Sequence, residues 1–164
     1  MDLPLNPEDY AIAVRLHDVG KINVPESIIM KAGPLTPAER ETVERHPQDG
    51  FGYLEHLLRN WSDGPRSEYM RLFLEAAMEI TLNHHERYDG TGYPRRLREL
   101  DIPLSARLFS PIDVYDALVS ERPYKHAWSE SETRRFIEDH VGTMFDPEAV
   151  ELLFAVLDEG IPTA

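Results

Sequence analysis

Cysteine is absent from the 164 residues, which excludes disulfides, thiolate catalysis and cysteine-ligated zinc, and fits a reducing compartment. Basic residues are few beside the acids, 17 against 30, and the formal charge is -13 at pH 7. A surface for nucleic acid or an anionic membrane needs clustered cations to neutralise phosphates, so neither partner is expected. No apolar run reaches the roughly 18 residues of a membrane span, and Met1-Asp2-Leu3-Pro4 does not open a signal peptide. The expected protein is soluble and cytoplasmic. No β-hairpin pattern and no internal repeat is found. The remainder suits a single all-α domain over residues 1–164, long enough to bury a sizeable core. Its acidic excess suits the collection of divalent cations.

Helix signals punctuate the chain. Asn6-Pro7-Glu8 supplies a cap, a first-turn proline and a first-turn acid, predicting a helix through Ala13, Leu16 and His17 to a stop at Gly20. Thr36 with Glu39, and Ser129 with Glu132, have capping-box spacing, and Asp146-Pro147 predicts the start of a last helix. Pro47 disfavours helical geometry at His46, so a kink or junction is expected there. Asn60 to Arg66 reads as a surface loop. Tyr69, Leu72, Phe73, Ala76, Ala77 and Ile80 recur at helical steps and lead to His84, and His85, rotated about 100° from it, is expected to look elsewhere. The segment from Leu104 to Val119 is apolar almost all round, as a buried helix is, and Pro111 should kink it or mark its start.

Chemistry-bearing side chains gather at these boundaries. His17, Asp18, His46, His84, His85 and Asp113 are candidate metal ligands, and Lys21 places a cation beside the His17-Asp18 pair. Nitrogen and carboxylate donors without thiolate suit manganese, iron, zinc or nickel. An aspartate next to a histidine can bridge two ions, and two ions about 3.5–4 Å apart suit phosphoester hydrolysis. Each residue also has a plain structural explanation. His17-Asp18 alone is an ordinary pair, and Asp113 alone could be a satisfied buried acid; the case rests on the set. His56, His126 and His140 read as ordinary residues, Asp116 as support for a helix end, and Glu86 with Arg87 as a solvated pair.

Three blocks carry a family resemblance: His17-Asp18-Val19-Gly20-Lys21, the stretch HHERYDGTGYP from His84 to Pro94, and DVYDALVSERPYK from Asp113 to Lys125. Together with KAGPLTPAE (Lys31 to Glu39) and His46-Pro47, they resemble the HD-GYP branch of the HD phosphohydrolase superfamily. The resemblance implies an all-α bundle and hydrolysis of the bacterial second messenger cyclic di-GMP to pGpG or GMP. It implies His17, Asp18, His46, His84, His85 and Asp113 as metal ligands, with Asp18 bridging. Lys21 would contact the scissile phosphate or its nucleophilic water, and Arg122 and Lys125 would hold the nucleotide. Gly92-Tyr93-Pro94 would shape the loop and offer a surface to partner proteins.

Family members carry a further ligand histidine on a preceding helix, whereas sixteen residues precede His17 here and none is histidine. The expectation is one firmly held ion and one weakly held, slow or absent turnover, and dimerisation through the N-terminal region. Two alternatives stand beside the phosphodiesterase: a catalytically impaired module that binds nucleotide or a partner protein, and an HD phosphohydrolase with another nucleotide substrate. The choice between cyclic di-GMP and cyclic GMP-AMP is open at this point.

Overall fold

Asn6 starts the first helix by accepting the Asp9 backbone N–H at 2.9 Å, with Pro7 in the first turn where its missing N–H costs nothing. The computed structural model describes residues 5–61, 67–121 and 126–160. Among these the fold is all-α, with no strand beyond one isolated bridge between Val141 and Phe145. The chain divides into two compact units, Met1–His85 and Glu86–Ala164.

In the first unit, α1 (Pro7–Ala13) is shorter than its sequence pattern predicts. It tightens into a 3-10 turn at Val14–Leu16, and a second 3-10 turn, Val19–Asn23, runs straight through Gly20. Gly20 is therefore no stop signal. A Cβ there would lie 2.0 Å from the His46 carbonyl oxygen and 2.5 Å from the Gly50 nitrogen, so only glycine lets this turn rest against the helix that His46 opens. A short helix α2 (Glu26–Ile29) follows. The capping box of Thr36 and Glu39 opens α3 (Pro37–Glu44) as its spacing predicts. Lys31 also reaches Glu39, Nζ to Oε2, at 2.5 Å. The His46-Pro47 step is a junction: Arg45 closes α3, and α4 (His46–Asn60) starts with Pro47 in its first turn. Of the loop expected over Asn60 to Arg66, Asn60 belongs to α4 and residues 62–66 lie outside the described residues. The helix α5 (Ser67–Asn83) buries Leu74, Ala76, Ala77 and Ile80 on one face. Burial of each larger aliphatic side chain contributes about 1.5–3 kcal/mol. α5 also carries buried Thr81 and Asn83 at its end.

The second unit begins with a glycine turn. Glu86, expected in solvent beside Arg87, is instead 3% exposed, and its carboxylate accepts the backbone N–H groups of Arg95 at 2.7 Å and Leu97 at 3.0 Å. It thereby ties down the far side of the Gly-Tyr-Pro loop. Asp89 accepts from the Thr91 N–H and hydroxyl, and Gly90 takes φ +80° with Arg98 packed over it. The helix α6 (Leu104–Val119) continues through Pro111, which therefore does not mark its start. It is not buried all round either: Ile112 is 47% exposed and Asp116 is exposed, taking a long 3.4 Å contact from Ser120 at the helix end. Its inner side meets α7 (Glu130–Asp139) and α8 (Pro147–Glu159) around Ile137, Phe145 and Val150. Both helices start at their expected caps, Ser129 and Asp146. Arg107 makes a buried ion pair with Asp146 and donates to the Ile102 carbonyl at 3.0 Å. No described helix is long and apolar enough to cross a membrane.

Candidate metal centre

The site is built where three backbone segments of the first unit stop being regular helix. His17 and Asp18 lie between the two 3-10 turns, His46 opens α4, and His84 and His85 follow the last residue of α5. In each of three histidines the ring Nδ1 meets a carbonyl one turn back: His17 to Val14 at 2.6 Å, His46 to Val43 at 2.7 Å, His84 to Thr81 at 2.9 Å. A carbonyl only accepts, so Nδ1 carries the proton and Nε2 presents a lone pair. Backbone geometry thus fixes all three tautomers as metal ligands need them.

The Nε2 atoms turn toward Asp18. His17 Nε2 is 3.3 Å from Oδ2, His46 Nε2 is 3.3 Å from Oδ1, and His84 Nε2 is 3.9 Å from Oδ1. Lys21 donates to Oδ2 at 2.6 Å. His46 and His84 bring their Nε2 atoms within 3.3 Å of each other; as neutral rings protonated at Nδ1 they have no hydrogen to share there. Asp18 Oδ1 is buried without a hydrogen-bond partner. An electron-rich cluster of this kind is costly unless a cation joins it.

His85 differs from its sequence expectation. The rotation of about 100° per residue applies only while a helix continues, and α5 ends at Asn83 with His84 and His85 in a turn. The two rings lie with centroids 4.0 Å apart, and His85 faces His46 at 5.0 Å. His46, His84 and His85 each offer a ligand atom within 4.8 Å of the others. Burial first, and the neighbouring imidazoles second, push His84 down to about 3 and His85 down to about 2, so both are neutral near pH 7. At Asp18, burial would raise the carboxyl, but the Lys21 ammonium, donating to Oδ2 at 2.6 Å, holds it below the usual carboxylate range. The donor set, three or more neutral nitrogens with one carboxylate, fits a first-row divalent ion.

Six expected site residues, His17, Asp18, Lys21, His46, His84 and His85, thus come together. Asp113 is carried by α6 in the second unit, where it is partly buried. Arg122 and Lys125 lie outside the described residues. Of the histidines expected to be ordinary, His56 and His126 are exposed and His140 meets the Phe136 carbonyl through its ring Nδ1. Sequence reasoning missed two supporting residues, Glu86 and Thr81, whose partners lie in other segments.

The sequence profile of the HD domain matches residues 4–149. A cyclic di-GMP phosphodiesterase of Vibrio cholerae serotype O1 is 42% identical over 149 residues, covering 91% of this chain and 29% of that protein. A 3'3'-cGAMP-specific phosphodiesterase of the same organism is 39% identical over 146 residues, covering 89% of this chain and 26% of that protein. The chain therefore spans less than a third of either relative. A crystal structure of a cyclic GMP-AMP specific phosphodiesterase of V. cholerae shares the fold, with a TM-score of 0.59, 18% identity, and coverage of 96% of this chain and 40% of that one. The profile runs across all the clustered histidines, and with the His17-Asp18 pair at their centre and HHERYDGTGYP following α5, the chain belongs to the HD domain family and to its HD-GYP branch.

Proposed function

We propose that this chain is the catalytic domain of a metal-dependent phosphodiesterase that hydrolyses cyclic di-GMP. One observation carries the reading: His46 and His84, with Nδ1 tied to the backbone, turn their Nε2 lone pairs on Asp18 Oδ1, a buried oxygen that no hydrogen bond satisfies. His17, Asp18, His46, His84 and His85 would hold the metal, and Asp18 has an oxygen on each side of the cluster for more than one ion. A divalent ion there supplies a Lewis acid for a phosphoryl oxygen and acidifies water. Lys21, half-exposed and bonded to Asp18, brings an ammonium to the rim, where it would hold a phosphate oxygen and offset charge developing on it. Asp113 as a further ligand, and Arg122 and Lys125 as the nucleotide grip, rest on the motif resemblance alone, as does partner binding by Gly92-Tyr93-Pro94. The match over residues 4–149 supports one functional domain spanning both compact units. Several relatives at about 40% identity named as cyclic di-GMP phosphodiesterases support the substrate. A relative named for 3'3'-cGAMP makes that nucleotide the second reading.

The test incubates the manganese- or iron-loaded chain with each cyclic dinucleotide and follows linear products. Cyclic di-GMP should be cleaved to pGpG or GMP, and Asp18→Asn should abolish turnover. Cleavage of cyclic GMP-AMP alone would transfer the assignment to that substrate. A metal-loaded chain that binds a cyclic dinucleotide and cleaves neither is the catalytically impaired module and not the enzyme.

A further inference from the structure

We infer that Thr81 is a positioning residue of the metal centre, holding the backbone of His17 and the ring of His84 in register from one point on α5. The inference rests on the metal reading above. Thr81 is fully buried near the end of α5. A helical threonine commonly turns its hydroxyl back to the carbonyl one turn earlier in its own helix. Here the hydroxyl donates instead to the Leu16 carbonyl, 65 residues away in sequence, at 3.3 Å. That carbonyl belongs to the peptide unit joining Leu16 to His17, at the end of the 3-10 turn Val14–Leu16.

The other atoms of the residue serve the same cluster. The Thr81 carbonyl accepts the His84 Nδ1–H at 2.9 Å, which keeps Nε2 unprotonated and aimed inward. Its methyl group fixes the spacing to α4: a Cβ placed on Gly50 would come within 2.7 Å of Thr81 Cγ2 and 3.1 Å of the Gly20 nitrogen. One side chain therefore touches the peptide before His17, the helix begun by His46, and, through its own backbone, His84. The His17 and His84 rings meet edge to face at 5.1 Å, so sliding of either segment would change the distance between their nitrogens. Partners that orient metal ligands from outside typically change metal affinity by about 10–100-fold when removed.

The experiment titrates the metal-free chain with Mn2+ against a competing chelator, and records side-chain 15N shifts of the histidines before metal is added. Thr81→Val keeps the shape and removes the hydroxyl. It should lower Mn2+ affinity about tenfold or more and move the His17 ring signals, while His84 keeps its Nδ1–H. Thr81→Ser keeps the hydroxyl but not the methyl, so it should keep the parent's His17 ring signals and bind Mn2+ more tightly than Thr81→Val. Thr133→Val removes a hydroxyl from an equally buried threonine of the second unit whose Oγ1 has no hydrogen-bond partner; it should leave Mn2+ affinity unchanged. Parent-like Mn2+ binding by Thr81→Val, with unmoved His17 signals, would overturn the inference. A parent that binds no Mn2+ while Thr81→Val still moves the His17 signals would overturn the metal reading and leave the hold on His17 standing. If neither effect is seen, both are wrong.

Discussion

The two compact units hold buried carboxylates in opposite ways. In Glu86–Ala164, Glu86 takes two backbone N–H groups, and Asp146 is paired with Arg107. In Met1–His85, neutral imidazoles crowd around an aspartate oxygen without a partner. The first arrangement is complete as it stands, whereas the second is complete only with a cation. Burial of a carboxylate is thus a stability device in one unit and a binding device in the other.

The largest effect should come from breaking the satisfied side. Arg107→Ala strands the Asp146 carboxylate, and loss of one partner from a buried pair costs about 3–5 kcal/mol. Denaturant unfolding should show that loss, and Arg107→Met with Asp146→Asn should recover part of it. Acid should sharpen the contrast from the other side. Metal-free His84 and His85 titrate at about 3 and about 2, against 6.5 for an ordinary imidazole. Below pH 6.5 the unfolded chain takes up protons that the folded chain refuses. Stability should therefore be full above that pH and fall toward pH 3, by up to about 2.7 kcal/mol per pH unit for the pair. Double replacement of the two by glutamine should flatten the fall. Adding Mn2+ at about 100 times its Kd should stabilise the parent by about 2.7 kcal/mol, read as a rise in Tm that Asp18→Asn largely loses. Glu86→Gln substitutes a donor where a backbone N–H expects an acceptor. It should cost about 1–3 kcal/mol, read by denaturant unfolding. At the small end, exposed His56→Ala should stay within about 0.5 kcal/mol and bind metal normally.

Much of this contrast is legible in the sequence where the signal is local. The caps at Asn6, Thr36, Ser129 and Asp146 need only a few neighbouring residues, and all four act as their spacing predicts. Of the candidate site, His17, Asp18, His46, His84 and His85 are readable as a set because each stands at a helix boundary, and Lys21 because it follows three residues after Asp18. What fails needs knowledge of a distant partner. Gly20 resembles a stop because its neighbour, the start of α4, is invisible in a local window. Glu86 resembles a solvated acid because its donors lie 9 and 11 residues ahead in a loop that first has to turn back. The apolar run of α6 predicts full burial, but composition does not say how many sides of a helix find partners, and Ile112 stays half in water. The helical rule rotates His85 away from His84, but α5 ends at Asn83, before the rule can apply to either.

The contact at Gly20 sets a trap for mapping this protein by saturation mutagenesis. A Cβ at position 20 meets the His46 backbone at 2.0 Å, and peptide atoms cannot swing aside as a flexible side chain can. Every substitution there should push α4 and its leading histidine off the cluster, so position 20 would score as sharply as a ligand while touching neither metal nor substrate. Gly52, two residues beyond Gly50 on the same α4, has nothing within 4 Å of a Cβ. Alanine there should add about 0.5–1 kcal/mol of stability by helix preference alone. Two glycines bearing on one helix would score at opposite ends of the same screen, and only the backbone clearance separates a tolerant position from a forbidden one.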